Sequence, residues 1–126
     1  MKDNVLQSKS YAFAIRIIRL VQYLEREKRE FVLSNQVKRS GTAIGASIRE
    51  AEFSESRLDF IHKMRISLKE ANETMYWLSL LLDTGYINKR MAASIMEDCR
   101  ELLAMLVSTV KTAKRNMQQY DCPRHF

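Results

Sequence analysis

Turn formers are scarce in this chain: it holds three glycines and one proline in 126 residues. A many-stranded sandwich or barrel needs a turn signal roughly every dozen residues, so that class is excluded. Cysteine is equally sparse. Cys99 and Cys122 form no CxxC pair and no disulfide framework, which suits a reducing compartment, and a cytoplasmic protein is expected. Long apolar runs are missing too. The longest uncharged apolar stretch, Met75 to Leu82, is far too short to span a bilayer. Gln7, Lys9, Arg16 and Arg19 interrupt the N-terminal region, which therefore reads as carrying no signal peptide, and no membrane partner is expected.

Present instead are 46% hydrophobic and 29% charged residues, enough for the core of one domain spanning residues 1–126. Four helical segments can be read, at about 8–28, 33–52, 56–84 and 88–119, with a short C-terminal tail. In the first, Phe13, Ile17, Leu20 and Leu24 form one apolar stripe, and Tyr11, Ala14, Ile18 and Val21 form a second. Two stripes mean either a helix deep in the bundle or a second face that meets another subunit. The second helix has the seam Leu33, Val37, Gly41, Ile44, Ile48 and Ala51, set in a run of small residues. Glycine inside a soluble helix costs roughly 1 kcal/mol relative to alanine. Gly41, Gly45, Ala46 and Ser47 are therefore read as a helix-packing or oligomer contact. A phosphate loop is disfavoured because its terminal Gly-Lys-Ser/Thr is absent.

The third helix opens with Ser56 as N-cap and Asp59 in its first turn. Its seam Ile61, Met64, Leu68, Ala71, Met75, Leu78 and Leu82 keeps 3-4 spacing throughout. Thr84-Gly85-Tyr86-Ile87 reads as a helix stop, and Asn88 as the next cap. The fourth helix carries Ile95, Cys99, Leu102, Leu106, Val110, Ala113 and Met117 inward and ends at Asp121-Cys122-Pro123. The predicted fold is all-α, an antiparallel up-down four-helix bundle.

No group of residues names a reaction. His62 and His125 are the only histidines, and Asp59-Phe60-Ile61-His62 has no counterpart that would complete a di-metal site. Cys99 falls in a seam, and no glycine elbow surrounds a serine. The expectation is a non-enzyme with no metal and no cofactor. Charge is the more informative signal. Lysine and arginine number 21 against 15 acids, giving +6, and the excess sits in residues 1–30 and 85–126, at +3 each. Such a balance permits polyanion binding without requiring it, and a merely solubilising face is the competing reading. The candidate phosphate contacts are Arg16, Arg19 and Arg26 on the first helix with Lys38, Arg39 and Arg49 on the second. Trp77 and the tyrosines can stack on bases or fill the bundle.

The segment from Leu33 to Ala51, LSNQVKRSGTAIGASIREA, resembles the central motif of the bacterial four-helix-bundle proteins, also called the 23S rRNA intervening-sequence proteins. The similarity continues through Asp59-Phe60-Ile61-His62-Lys63-Met64, Leu68-Lys69-Glu70-Ala71, Tyr76-Trp77-Leu78 and Gly85-Tyr86-Ile87. It departs at Ala43, Ser47 and Ala51, where the family more typically has serine, asparagine and glycine. The resemblance implies a homo-oligomer, a pentameric ring in its fuller form. It also implies kinship with the accessory variability protein of diversity-generating retroelements, a basic pentamer that binds nucleic acid and a reverse transcriptase. The functional expectation is an oligomeric binder of structured RNA or DNA. The alternative is a protein–protein adaptor that uses the small-residue helix and the second apolar stripe.

Overall fold

A computed structural model describes residues 4–121, with side chains as far as Gln118. It contains α1 (Val5–Glu27), α2 (Val32–Ala51), α3 (Arg57–Asp83) and α4 (Lys89–Asp121), and no strand among the described residues. Successive helices pack side by side in antiparallel order. The α1–α2, α2–α3 and α3–α4 contacts are extensive, while α4 closes on α1 more loosely. The chain is an all-α four-helix bundle.

The caps explain where each helix begins. Ser56 Oγ accepts the Asp59 amide at 3.0 Å, and Asn88 Oδ1 accepts the Met91 amide at 2.8 Å. Gly85 takes φ 82°, while the Tyr86 amide reaches the Leu81 carbonyl at 2.9 Å and the Gly85 amide that of Leu82 at 3.1 Å. Those two bonds close α3 as a Schellman motif, with Ile87 buried behind it. Two starts differ from expectation. Helix α1 begins at Val5, three residues earlier than Ser8, because Asn4 Oδ1 accepts the Gln7 amide at 2.8 Å. Helix α2 is capped from outside by Glu30, whose carboxylate accepts the amides of Val32, Leu33 and Ser34 at 3.1, 2.8 and 2.8 Å. Placing that anion at the positive end of the helix lets the α1–α2 loop turn within a few residues, with Arg29 at φ 52°. The expectations for Cys122, Pro123 and His125 fall outside the described residues.

The expected seams of α1, α2 and α4 point into the core. Phe13, Ile17, Leu24, Val37, Ile44, Leu102 and Leu106 are all essentially inaccessible. Helix α3 is different. Leu68, Met75 and Leu82 are only partly covered, whereas Ser67, Thr74 and Leu81, each one residue earlier, are fully buried. The helix lies between α2 and α4 and needs a wider inner face than a single 3-4 stripe. Its hydroxyls are satisfied there. Ser67 Oγ donates to the Ile44 carbonyl at 2.8 Å, and Thr74 Oγ1 donates to the Glu70 carbonyl at 2.8 Å and shares a bond with Ser40 Oγ at 2.9 Å.

Small residues set the α1–α2 distance. A Cβ at Gly41 would stand 2.8 Å from Ile17 Cγ1, and one at Gly45 would stand 3.2 Å from Ser10 Oγ. The glycines let the two backbones approach, which offsets their poor helix propensity. Ala46 is exposed and Ser47 half-buried, so the small-residue run extends from the helix contact onto the surface. Helix α1 does not lie deep in the bundle. Val21, from its second stripe, is buried, but Tyr11 is 61% and Ile18 37% exposed, beside Ile15 at 40%.

Candidate nucleic-acid interface

The six cations singled out in the sequence divide into two groups according to what faces them. Arg16 points from α1 across to α4. Its Nη1 meets Asp98 Oδ2 at 2.6 Å, and its Nη2 donates to Ser94 Oγ at 2.9 Å. Lys9 makes a parallel pair with Glu101 at 3.1 Å. These two bridges span the most loosely packed side of the bundle. Arg39 points the other way, onto α3. It holds Glu70 Oε1 at 3.2 Å and makes a close hydrogen bond to Glu73, whose Oε2 also accepts the Trp77 indole N–H at 2.9 Å.

The charge states follow this geometry. The Trp77 hydrogen bond, and after it the Arg39 guanidinium, hold the Glu73 carboxyl below the usual carboxylate range. The bond to Glu73 in turn raises Arg39. Arg16 and Arg39 are thus partners in interhelical bridges.

Arg19, Arg26, Lys38 and Arg49 are exposed, and they make no ion pair among the described residues. The sequence explains why. From Asn4 to Leu24 and again from Phe31 to Arg49 there is no aspartate or glutamate. Along these stretches α1 and α2 offer no carboxylate, so Arg19 and Lys38 have none within a helical turn, while Arg26 lies beyond them between Glu25 and Glu27 and Arg49 precedes Glu50. Two shallow depressions on the α1–α2 side share Tyr11 and Ala14; Ile15, Ile18 and Arg19 line one, and Gly45, Ala46 and Arg49 line the other.

Burial pushes the Cys99 thiol up to about 12, and its Sγ contacts the Ala71 carbonyl at 3.4 Å, so it is neither ionised nor accessible. No group of three or more His, Cys, Asp or Glu among the described residues is placed to hold a metal ion. His62 is exposed, and the neighbouring Asp59 carboxylate is held low by the Glu55 backbone N–H first and by Lys63 second. No described helix is long and apolar enough to cross a membrane.

Sequence reasoning did not single out Ile15 as part of the exposed strip, nor Phe53 and Leu58, which are 80% and 65% exposed at the α2–α3 corner. Nor did it find Asp98 opposite Arg16, 82 residues away. For Ile15 the signal was available, since Tyr11, Ile15 and Ile18 repeat at 4-3 spacing. For the ion pair no local signal existed.

No curated protein is similar enough to this chain to count as a match. Among solved structures, a protein of unknown function from the S23 ribosomal protein family of Bacteroides thetaiotaomicron is 52% identical. It superposes with a TM-score of 0.84 over 85% of this chain and 99% of that one. The profile of the 23S rRNA-intervening sequence proteins matches residues 2–108, which includes both carboxylate-free segments and the glycine contact between them. With the bundle and the match in agreement, the chain belongs to the 23S rRNA-intervening sequence protein family.

Proposed function

We propose that this protein is a non-enzymatic, homo-oligomeric binder of structured RNA or DNA that holds its ligand mainly through phosphates. The observation that carries the reading is that Arg19, Arg26, Lys38 and Arg49 stand exposed and make no ion pair among the described residues, with Arg19 and Lys38 inside long stretches of α1 and α2 that hold no acid. Bridges to α3 and α4 engage Arg16 and Arg39, so these two act in holding the helices together and the other four act on the ligand. Repetition by symmetry multiplies each patch and strengthens its field. The exposed apolar residues Tyr11, Ile15, Ile18, Phe53 and Leu58 supply surface for assembly.

The test is fluorescence anisotropy of a labelled RNA hairpin and a DNA duplex, titrated with protein from low to physiological salt. Log affinity is expected to fall linearly with log salt, because each neutralised phosphate releases counterions. Absence of binding at the lowest salt would overturn the proposal and assign these cations to solubility.

A further inference from the structure

We infer that the C-terminal part of α4 is a second phosphate-binding surface, in which Lys111, Lys114 and Arg115 lie against the backbone of the bound RNA or DNA. The inference rests on the nucleic-acid reading above and extends it to a helix that supplies none of the cations considered there. The first half of α4 neutralises its own charge. Asp98 and Glu101 are held by Arg16 and Lys9 across the α1–α4 contact, and Glu97 pairs with Arg100 at 3.1 Å. From Leu102 to Tyr120 there is no aspartate or glutamate. Within that stretch Lys111, Lys114 and Arg115 are all exposed, and none makes an ion pair among the described residues. Their spacings of three and four residues put them on one helix face, where like charges repel and weaken the helix. The helix dipole does not account for them, because it acts within the last turn and α4 continues to Asp121. A polyanion laid on this face turns the repulsion into attraction. The backbone of a duplex, with one charge per about 1.7 Å of axis, is dense enough to meet three cations within about one turn.

The neighbouring elements leave this face open. Lys9 opposite Glu101 sets the α1–α4 register, so Val5, where α1 begins, is level with about Met105, and α4 runs on past it. The contact of Cys99 Sγ with the Ala71 carbonyl sets the α3–α4 register and brings the end of α4 beside the start of α3. The acids at that end of the bundle are Glu50, Glu52, Glu55 and Asp59. Asp59 is held by Lys63 at 3.3 Å and Glu52 by Asn4 Nδ2 at 3.3 Å, and no ion pair joins any of the four to α4 among the described residues. They are outnumbered by Arg49, Arg57, Lys63 and the three α4 cations. A lipid surface fits less well. Val110, Ala113 and Met117 pack against the core, and Val107, at 38%, is the one exposed large apolar side chain of α4 among the described residues. The face thus offers charge without the apolar strip that a membrane-surface helix buries.

The test uses the full chain carrying Lys111→Gln, Lys114→Gln and Arg115→Gln together, in anisotropy titrations of a labelled RNA hairpin and a DNA duplex over a range of salt. A charge-matched control carries Lys9→Gln, Lys63→Gln and Arg100→Gln, all cations with a carboxylate partner. The α4 variant is expected to lose at least tenfold in affinity at low salt and to flatten the salt slope by about two to three units. Its Tm should not fall, because no ion pair is broken. The control should keep the wild-type slope. Wild-type protein that binds neither probe would overturn the nucleic-acid reading itself. Wild-type binding whose slope is unchanged in the α4 variant, or flattened equally in the control, would overturn only the α4 surface. So would an α4 variant that loses binding to phosphatidylserine vesicles while its nucleic-acid affinity stays as in the wild type.

Discussion

Helix α2 has two sides, and they are built from different chemistry. Toward α1 it offers glycine, and the contact is backbone against the stiff side chain of Ile17, with no ion pair. Toward α3 it offers hydroxyls and a guanidinium, and the contact is Ser40 with Thr74, the Ile44 carbonyl with Ser67, and Arg39 with two glutamates. The first side depends on distance and the second on polar groups being satisfied. The same division separates the cations by partner. Arg16 and Arg39, which face α4 and α3, each meet a carboxylate, and Arg19, Arg26, Lys38 and Arg49 make no ion pair among the described residues. Residue type alone did not distinguish Arg39 from Lys38, its neighbour in the chain.

The largest effect should come from closing the glycine contact. Gly41→Leu drives a side chain into Ile17, which is fully buried and β-branched and has little room to yield. Overpacking of this kind costs about 1–3 kcal/mol and sometimes more. A large drop in Tm, or loss of the cooperative transition, is expected on thermal unfolding followed by circular dichroism. Gly45→Ala, whose nearest neighbour is a serine hydroxyl at 3.2 Å, should be much milder.

The polar side of α2 gives the next effect. Thr74→Val keeps the shape but leaves the buried Ser40 hydroxyl without its partner at 2.9 Å. An unsatisfied buried group costs roughly 1–3 kcal/mol, and urea unfolding should show a loss in that range. Removing the half-exposed bridge is smaller again. Arg39→Ala should cost at most about 1 kcal/mol, since an exposed pair is screened by solvent. Its pH dependence has a definite sign. The Glu73 carboxyl titrates below its ordinary value in the folded state, so its contribution is present above the usual carboxylate range and is lost as pH falls through the lowered value. The Tm difference between wild type and Glu73→Gln should therefore be largest near neutral pH and shrink in acid. Smallest of all for stability is Lys38→Gln, at an exposed site with no bridge to break, where unfolding should be unchanged within about 0.5 kcal/mol.

Much of the bundle was legible because its determinants are local. Ser56, Asn88 and Gly85 act on amides and carbonyls within five residues, and the stripes of α1, α2 and α4 are read by counting threes and fours. What escaped was either polar or distant. Asn4 caps a turn that precedes the stripes beginning at Tyr11 and Phe13, and Glu30 caps from one residue beyond the usual position. Ser67 and Thr74 belong to the core of α3 but contribute nothing to an apolar count. The candidate interface was legible as a set of cations and illegible as a surface. Subtracting Arg16 and Arg39 required knowing that Asp98, Glu70 and Glu73 lie across from them, at separations of 82, 31 and 34 residues.

The central claim is that position relative to a carboxylate separates ligand-binding cations from structural ones. It is tested most directly by the salt dependence of nucleic-acid affinity in two double variants, Arg26→Gln with Lys38→Gln and Arg16→Gln with Arg39→Gln. The account predicts that the first pair flattens the slope by about one unit per charge removed and leaves Tm unchanged. The second pair should lower Tm and leave the slope as in the wild type. A flattened slope in the second pair with an unaltered slope in the first would contradict it.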